Sequence, residues 1–116
     1  MGKLDEQPGI SPMELLLTGL AGCTGIDVVH ILGKMRQPLE NLQVKVRGKR
    51  ADDHPKVYTE IEIVYYVWGE NLSAESVEKA IQLSEEKYCS ASAMLGKTAQ
   101  IKSSYQILAS GEGIAR

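Results

Sequence analysis

Cys23 and Cys89 are the only two cysteines in this 116-residue chain. They are its most direct route to chemistry, as nucleophile, redox pair or soft metal ligands. Cys89 heads the run Cys89-Ser90-Ala91-Ser92-Ala93-Met94-Leu95, which reads as a short helix. A sulfur at a helix start lies beside unpaired backbone N–H groups and the positive end of the dipole, which favours thiolate. Cys23 falls in the middle of a long apolar helix, where the dipole gives no help and burial disfavours a charged sulfur. His30 shares its face but stands about 10 Å further along the axis, too far for a direct Cys-His hydrogen bond. A zinc site from Cys23, Cys89, His30 and His54 is disfavoured, because no C-x-x-C or H-x-x-x-H pair brings two ligands together locally. The plain alternative is that both cysteines are small buried hydrophobes.

The elements that must position these sulfurs can be read from periodicity. Ser11 as N-cap, Pro12 at the first helical position and Glu14 three residues after Ser11 form a capping box. From Met13 to Met35 apolar residues cover most of the circumference, which predicts a helix surrounded by protein. Gly33 and Pro38 are its expected stop. Gly19, Gly22, Cys23 and Gly25 make a small-residue stripe, expected to be a packing seam for the second helix or for the same helix of another subunit. Leu42, Val44 and Val46 alternate with polar residues, as a strand with one wet face does, and residues 48–55 read as a turn. The alternation from Val57 to Trp68 predicts a longer strand, paired with the first as a hairpin and apolar on both faces at its far end. A helix capped at Asn71 or Ser73 is expected to run to about Tyr88 with Val77, Ala80, Ile81 and Tyr88 on one face. The short Cys89–Leu95 helix stops at Gly96, and a last strand runs through Ala99, Ile101, Ser103, Tyr105 and Ile107. The tail from Gly111 is expected to fray. His54 reads as a loop residue, and Trp68 with Tyr58, Tyr65 and Tyr66 as sheet packing.

This is an α+β domain, single over residues 1–116, with a β-hairpin and a further strand packed on long central helices. So narrow a sheet rarely covers a helix that is apolar all round, which predicts a homodimer that supplies the missing core. A formal net charge of -2 gives no bias toward nucleic acid or an anionic membrane. Residues 15–32 are long enough to span a bilayer, but Asp27 and the interspersed glycines suit a buried soluble helix better. The first six residues lack the apolar stretch of a signal peptide, which points to the cytoplasm, where free thiols or a transient redox pair are expected. No glycine-rich phosphate loop follows a strand.

The stretch from Ser11 to Thr24 (SPMELLLTGLAGCT), with Glu86-Lys87-Tyr88-Cys89-Ser90-Ala91-Ser92, resembles the OsmC/Ohr family of thiol-dependent hydroperoxide reductases, and the likeness covers nearly the whole chain in family order. The resemblance implies an intertwined homodimer. It also implies that Cys23 is the peroxidatic thiol, oxidised by an organic hydroperoxide to a sulfenic acid, and that Cys89 resolves it to a disulfide reduced by an external dithiol, with no resident cofactor. Two features depart from the pattern. The family's motif carries a Glu directly after the Pro, which orients a catalytic Arg; here that position is Met13 and the carboxylate is at Glu14, a lesser catalytic candidate. The Arg comes from N-terminal strands in the family, whereas here none precedes Cys23, so those strands are expected to be missing or shortened and Arg36, Arg47 or Arg50 of a partner subunit is the available substitute. The implied function is peroxidase. The alternatives are a non-catalytic dimer that binds a small apolar ligand and a purely structural dimer.

Overall fold

The computed structural model describes residues 11–113, so the N-terminal segment behind the signal-peptide reading lies outside the described residues. Helix α1 spans Pro12–Lys34. Its capping box is complete: Ser11 Oγ accepts from the Glu14 N–H at 3.2 Å, and the Ser11 N–H donates to Glu14 Oε1 at 3.3 Å. These bonds satisfy two groups that a helix start leaves orphaned. The stop differs from expectation. Gly33 remains helical, and the chain leaves through Arg36 in the left-handed region at φ 58°. The Gln37 N–H then reaches back to the Leu32 carbonyl at 3.0 Å, so a Schellman-type closure does what the glycine was expected to do.

Strands β1 (Asn41–Arg50) and β2 (Tyr58–Trp68) form the antiparallel hairpin, and β3 (Gln100–Leu108) lies parallel to β2 on its other side, in the order β1-β2-β3. β1 continues through Gly48 to Arg50 where a turn was expected. Gly48 fits because the Tyr58 ring lies where its Cβ would be, 2.6 Å away, and Tyr58 Oη donates to the Met13 carbonyl at 2.6 Å. A register shift between Lys49 and Arg50 changes the phase of β2. Tyr58 is therefore buried at one end and Ile61, Ile63, Tyr65 and Val67 along the rest, where strict alternation from Val57 puts Tyr58 outside.

The parallel connection from β2 to β3 needs a helical crossover. It begins with α2 (Ala74–Leu83), capped by Ser73, whose side chain accepts from the Ser76 N–H. The chain then makes a π-helical turn over Ser84–Tyr88 and enters α3 (Ser90–Leu95). The expected uniform helix to Tyr88 is thus interrupted, with the Cys89 N–H bonding to the Ser84 carbonyl five residues back at 2.7 Å. One extra residue in the turn rotates the downstream chain, so Tyr88 is exposed while Ser84 and Cys89 are buried.

The core lies between the sheet and the α1 stripe Leu20, Thr24, Val28 and Leu32, each fully buried, with Val77, Ala80 and Ile81 of α2 beside it. The rest of α1 departs from the expectation of all-round cover within one chain. Leu15, Leu16, Ile26 and Val29 are exposed. A methyl added at Gly19 or Gly22 would meet nothing within 4 Å among the described residues, while Gly25 faces Val44 and Leu42 of β1. α2 therefore does not fill the small-residue seam. α1 is long and apolar enough to cross a membrane by composition, but its stripe from Leu20 to Leu32 is packed inside this α+β fold.

A candidate active site around Cys23 and Cys89

Cys23 lies halfway along α1 and is half-buried, whereas Cys89 is buried at the junction of the π-helical turn and α3. The fold brings them together: the two Sγ atoms and a carboxylate oxygen of Asp27 all lie within 4.8 Å of one another. Sulfurs so close need only a small side-chain movement to bond. Asp27 is a site residue that the sequence reading missed. Its signal was present in the sequence, since i and i+4 share a helix face and residue 27 stands four after Cys23.

Cys89 is the N-cap of α3, and its sulfur accepts from the Ser92 N–H at 3.4 Å. The expected helix-start contact is therefore real, but the expected consequence is reversed. Burial pushes the Cys89 thiol up from its ordinary range, the neighbouring Cys23 adds to the rise, and Ser92 pulls only partly the other way. Desolvation outweighs one amide of a six-residue helix, and Cys89 is held as the protonated thiol. Ser92 Oγ is buried nearby and forms no hydrogen bond among the described residues.

Behind the sulfurs a line of polar side chains crosses the core. Ser84 Oγ donates to Asp27 Oδ2 at 3.1 Å and lies 2.8 Å from Thr24 Oγ1, which lies 2.8 Å from Tyr65 Oη. Tyr65 Oη donates to Glu85 Oε2 at 2.5 Å, and Ser103 Oγ donates to Glu85 Oε1. Thr24, Ser84 and Tyr65 are fully buried, so these bonds replace lost hydration. The strand pattern reads Tyr65 as sheet packing only. It is that, and its hydroxyl also joins this line.

The other candidates lie elsewhere. The Glu14 carboxylate is held in the capping box, nine residues and about 13 Å of helix away from Cys23. Arg47 pairs with Glu62 at 2.9 Å on the open face of the hairpin, and Arg50 Nε donates to the Lys56 carbonyl. His30 lines a groove between α1 and β1 and His54 lies exposed beyond the end of β1, and neither belongs to the cluster of Cys23, Cys89 and Asp27. That groove, about 730 Å³, runs between α1 and β1 past Gly22, Gly25, Ile26 and Val29.

A family model described as OsmC-like protein matches residues 4–104. Protein YhfA of Escherichia coli K12 is 41% identical over 105 residues, 90% of this chain and 77% of that protein. A hypothetical protein from Aquifex aeolicus VF5 superimposes with a TM-score of 0.83 at 42% identity, covering 89% of this chain and 77% of its own. The organic hydroperoxide resistance protein OhrB of Bacillus subtilis shares the fold with a TM-score of 0.65 at 17% identity, covering 88% of this chain and 74% of its own. The sequence match and the shared architecture agree: the chain belongs to the OsmC-like protein family.

Proposed function

We propose that this protein is a thiol-dependent peroxidase that reduces organic hydroperoxides, with Cys23 as peroxidatic and Cys89 as resolving cysteine. The single observation that carries this reading is the approach of the two sulfurs to within 4.8 Å, from residues 66 positions apart in sequence. The half-buried Cys23 is the sulfur a hydroperoxide reaches. Its sulfur attacks the terminal peroxide oxygen, the O–O bond breaks, an alcohol leaves and a sulfenic acid remains. The buried Cys89 then displaces water from that sulfenic acid to form the disulfide, and an external dithiol restores both thiols by exchange. Membership of a family that includes organic hydroperoxide resistance proteins supports the assignment.

The proposal includes a homodimer working in the cytoplasm, with no resident cofactor and no nucleic-acid or membrane partner. The exposed Leu15, Leu16, Ile26 and Val29 support the dimer, since a monomer in water rarely leaves so many large apolar side chains of one helix open. Consumption of cumene hydroperoxide in stopped flow with dithiothreitol is the test. Turnover is expected in the wild type and none in Cys23→Ser; an inert wild type, or unchanged turnover in that variant, defeats the reading. The 730 Å³ groove favours a second reading, a dimer that holds a small apolar ligand without chemistry. It predicts a copurifying ligand and thiols that stay reduced under peroxide.

A further inference from the structure

The polar line behind the sulfurs contains four hydrogen bonds: Asp27 to Ser84, Ser84 to Thr24, Thr24 to Tyr65, and Tyr65 to Glu85. Each bond needs one hydrogen. The three hydroxyls bring three, and a carboxylate only accepts. All four links are filled together only when a fourth proton sits on one of the two carboxyl groups. With that proton on Glu85, every hydroxyl points toward Asp27, which is then the anion. With it on Asp27, every hydroxyl points toward Glu85. A concerted hop along the line exchanges the two states without moving a heavy atom.

The ends of the line face different surroundings. Asp27 meets Cys23 of its own helix and Cys89 at the start of α3. Glu85 meets Ser103 of β3 and opens into a surface cleft of about 340 Å³ that it shares with Glu78, Glu86 and Tyr105. Burial and the Glu85 contact hold the Tyr65 phenol far above its ordinary range, so Tyr65 passes a proton on without becoming an anion.

We propose that Asp27 is the proton-transfer residue of the cysteine pair, and that Ser84, Thr24 and Tyr65 connect it to Glu85 as a relay that stores one proton. This rests on the peroxidase reading for its first step. The Cys23 thiolate attacks the peroxide while Asp27 holds the stored proton, so thiolate and carboxylate do not repel. The O–O bond breaks toward the departing oxygen, and the alkoxide takes the proton of Asp27 to leave as alcohol. Asp27, now the anion, takes the proton of the Cys89 thiol. The Cys89 sulfur attacks the sulfenic sulfur, the S–O bond breaks with its electron pair on oxygen, and the hydroxide recovers that proton as water. One proton then enters through Glu85 and hops to Asp27. It equals the proton that Cys23 released on ionising, so the cycle closes with a hydroperoxide reduced and two thiols oxidised.

Quench-flow measurement of disulfide formation tests this with two oxidants. Cumene hydroperoxide reports the full sequence. Diamide, which adds to one thiol and is displaced by the second as the hydrazine, needs the Cys89 proton removed but involves no peroxide. Asp27→Asn keeps shape and is expected to slow disulfide formation on the order of 100-fold with both oxidants. Tyr65→Phe keeps the buried volume and cuts the relay. Because the relay refills Asp27 between cycles, this variant is expected to form the first disulfide normally, to slow repeated turnover of cumene hydroperoxide with dithiothreitol on the order of tenfold, and to turn a bowed dependence of that turnover rate on deuterium fraction into a straight line. Wild-type rates for Asp27→Asn in both arms, or a straight line already in the wild type, overturn the relay. A wild type inert to peroxide that forms the disulfide with diamide, slowly in Asp27→Asn, removes the peroxidase reading and retains Asp27 as the proton acceptor.

Discussion

The two flanks of α1 are furnished in opposite ways. Toward α2 and the π-helical turn the helix presents Leu20, Cys23, Thr24 and Asp27, and its own polar side chains there each have a partner or lie beside the Cys89 sulfur. Toward β1 it presents Gly22, Gly25, Ile26 and Val29, a mainly apolar surface with Thr18 and His30 at the groove and open space in front of Gly22. Leaving polar groups unpaired in a core costs free energy, so the first flank is complete within one chain. Open apolar surface is satisfied by any matching apolar body, so the second flank can wait for a partner. On the proposed function, one helix separates chemistry from association, though its mean composition hides the division.

Substitutions can break or sharpen this contrast. Leu20→Ala removes a fully buried side chain on the furnished flank and is expected to cost about 2–5 kcal/mol in urea unfolding, whereas Ile26→Ala on the open flank changes the stability of an isolated subunit by less than about 0.5 kcal/mol. Ile26→Asp is expected instead to shift the sedimentation of the protein toward monomer. Equal costs for the two alanine variants would erase the distinction. Thr24→Val preserves volume but strips both Ser84 and Tyr65 of a bond, with an expected loss of about 1–3 kcal/mol. A neutral result there would make the polar line decorative. Ser11→Ala breaks the capping box and should lower stability by about 1 kcal/mol while the rate of disulfide formation stays unchanged, as expected if Glu14 serves the helix rather than the sulfurs.

The smallest effect is on pH dependence. The Cys89 thiol is raised above its ordinary 9.0 by burial, so the folded chain holds that proton more firmly than the unfolded chain does. The stability linked to it is fully present below the ordinary thiol range and is lost as pH climbs through the folded value, because the unfolded state ionises first. The Tyr58 and Tyr65 phenols, also raised by burial, add a loss of the same sign at still higher pH. Urea midpoints measured from about pH 8 to about pH 10 should fall, and fall less in Cys89→Ala. Identical slopes would remove Cys89 from the account.

Much of this was legible in the sequence because it depends on local rules. The capping box at Ser11 and Glu14, the alternation of Leu42, Val44 and Val46, and the inward face of Val77, Ala80 and Ile81 all follow from spacing alone. The meeting of Cys23 with Cys89 did not follow from spacing; family likeness implied it, and the geometry now supplies its reason. Three features escaped because two influences competed at one residue. Cys89 has both a helix start and a buried position, and desolvation is the stronger. Arg36 ended α1 where Gly33 was the conventional choice, because Gln37 could close back onto Leu32. Tyr65 lies in an apolar strand pattern, and periodicity is blind to a hydroxyl that finds partners on two other elements.

The five residues from Ser84 to Tyr88 bear on how such a pair is inherited. An α-helical path of the same length would place residue 89 roughly 100° out of phase, with its sulfur turned from Cys23. Inserting a single alanine after the exposed Glu86 should therefore silence the thiol couple while every reactive side chain remains encoded, whereas removing Glu86 should turn this segment α-helical and keep the cysteine in place. In this fold the counting of residues is as much a determinant of chemistry as their identity.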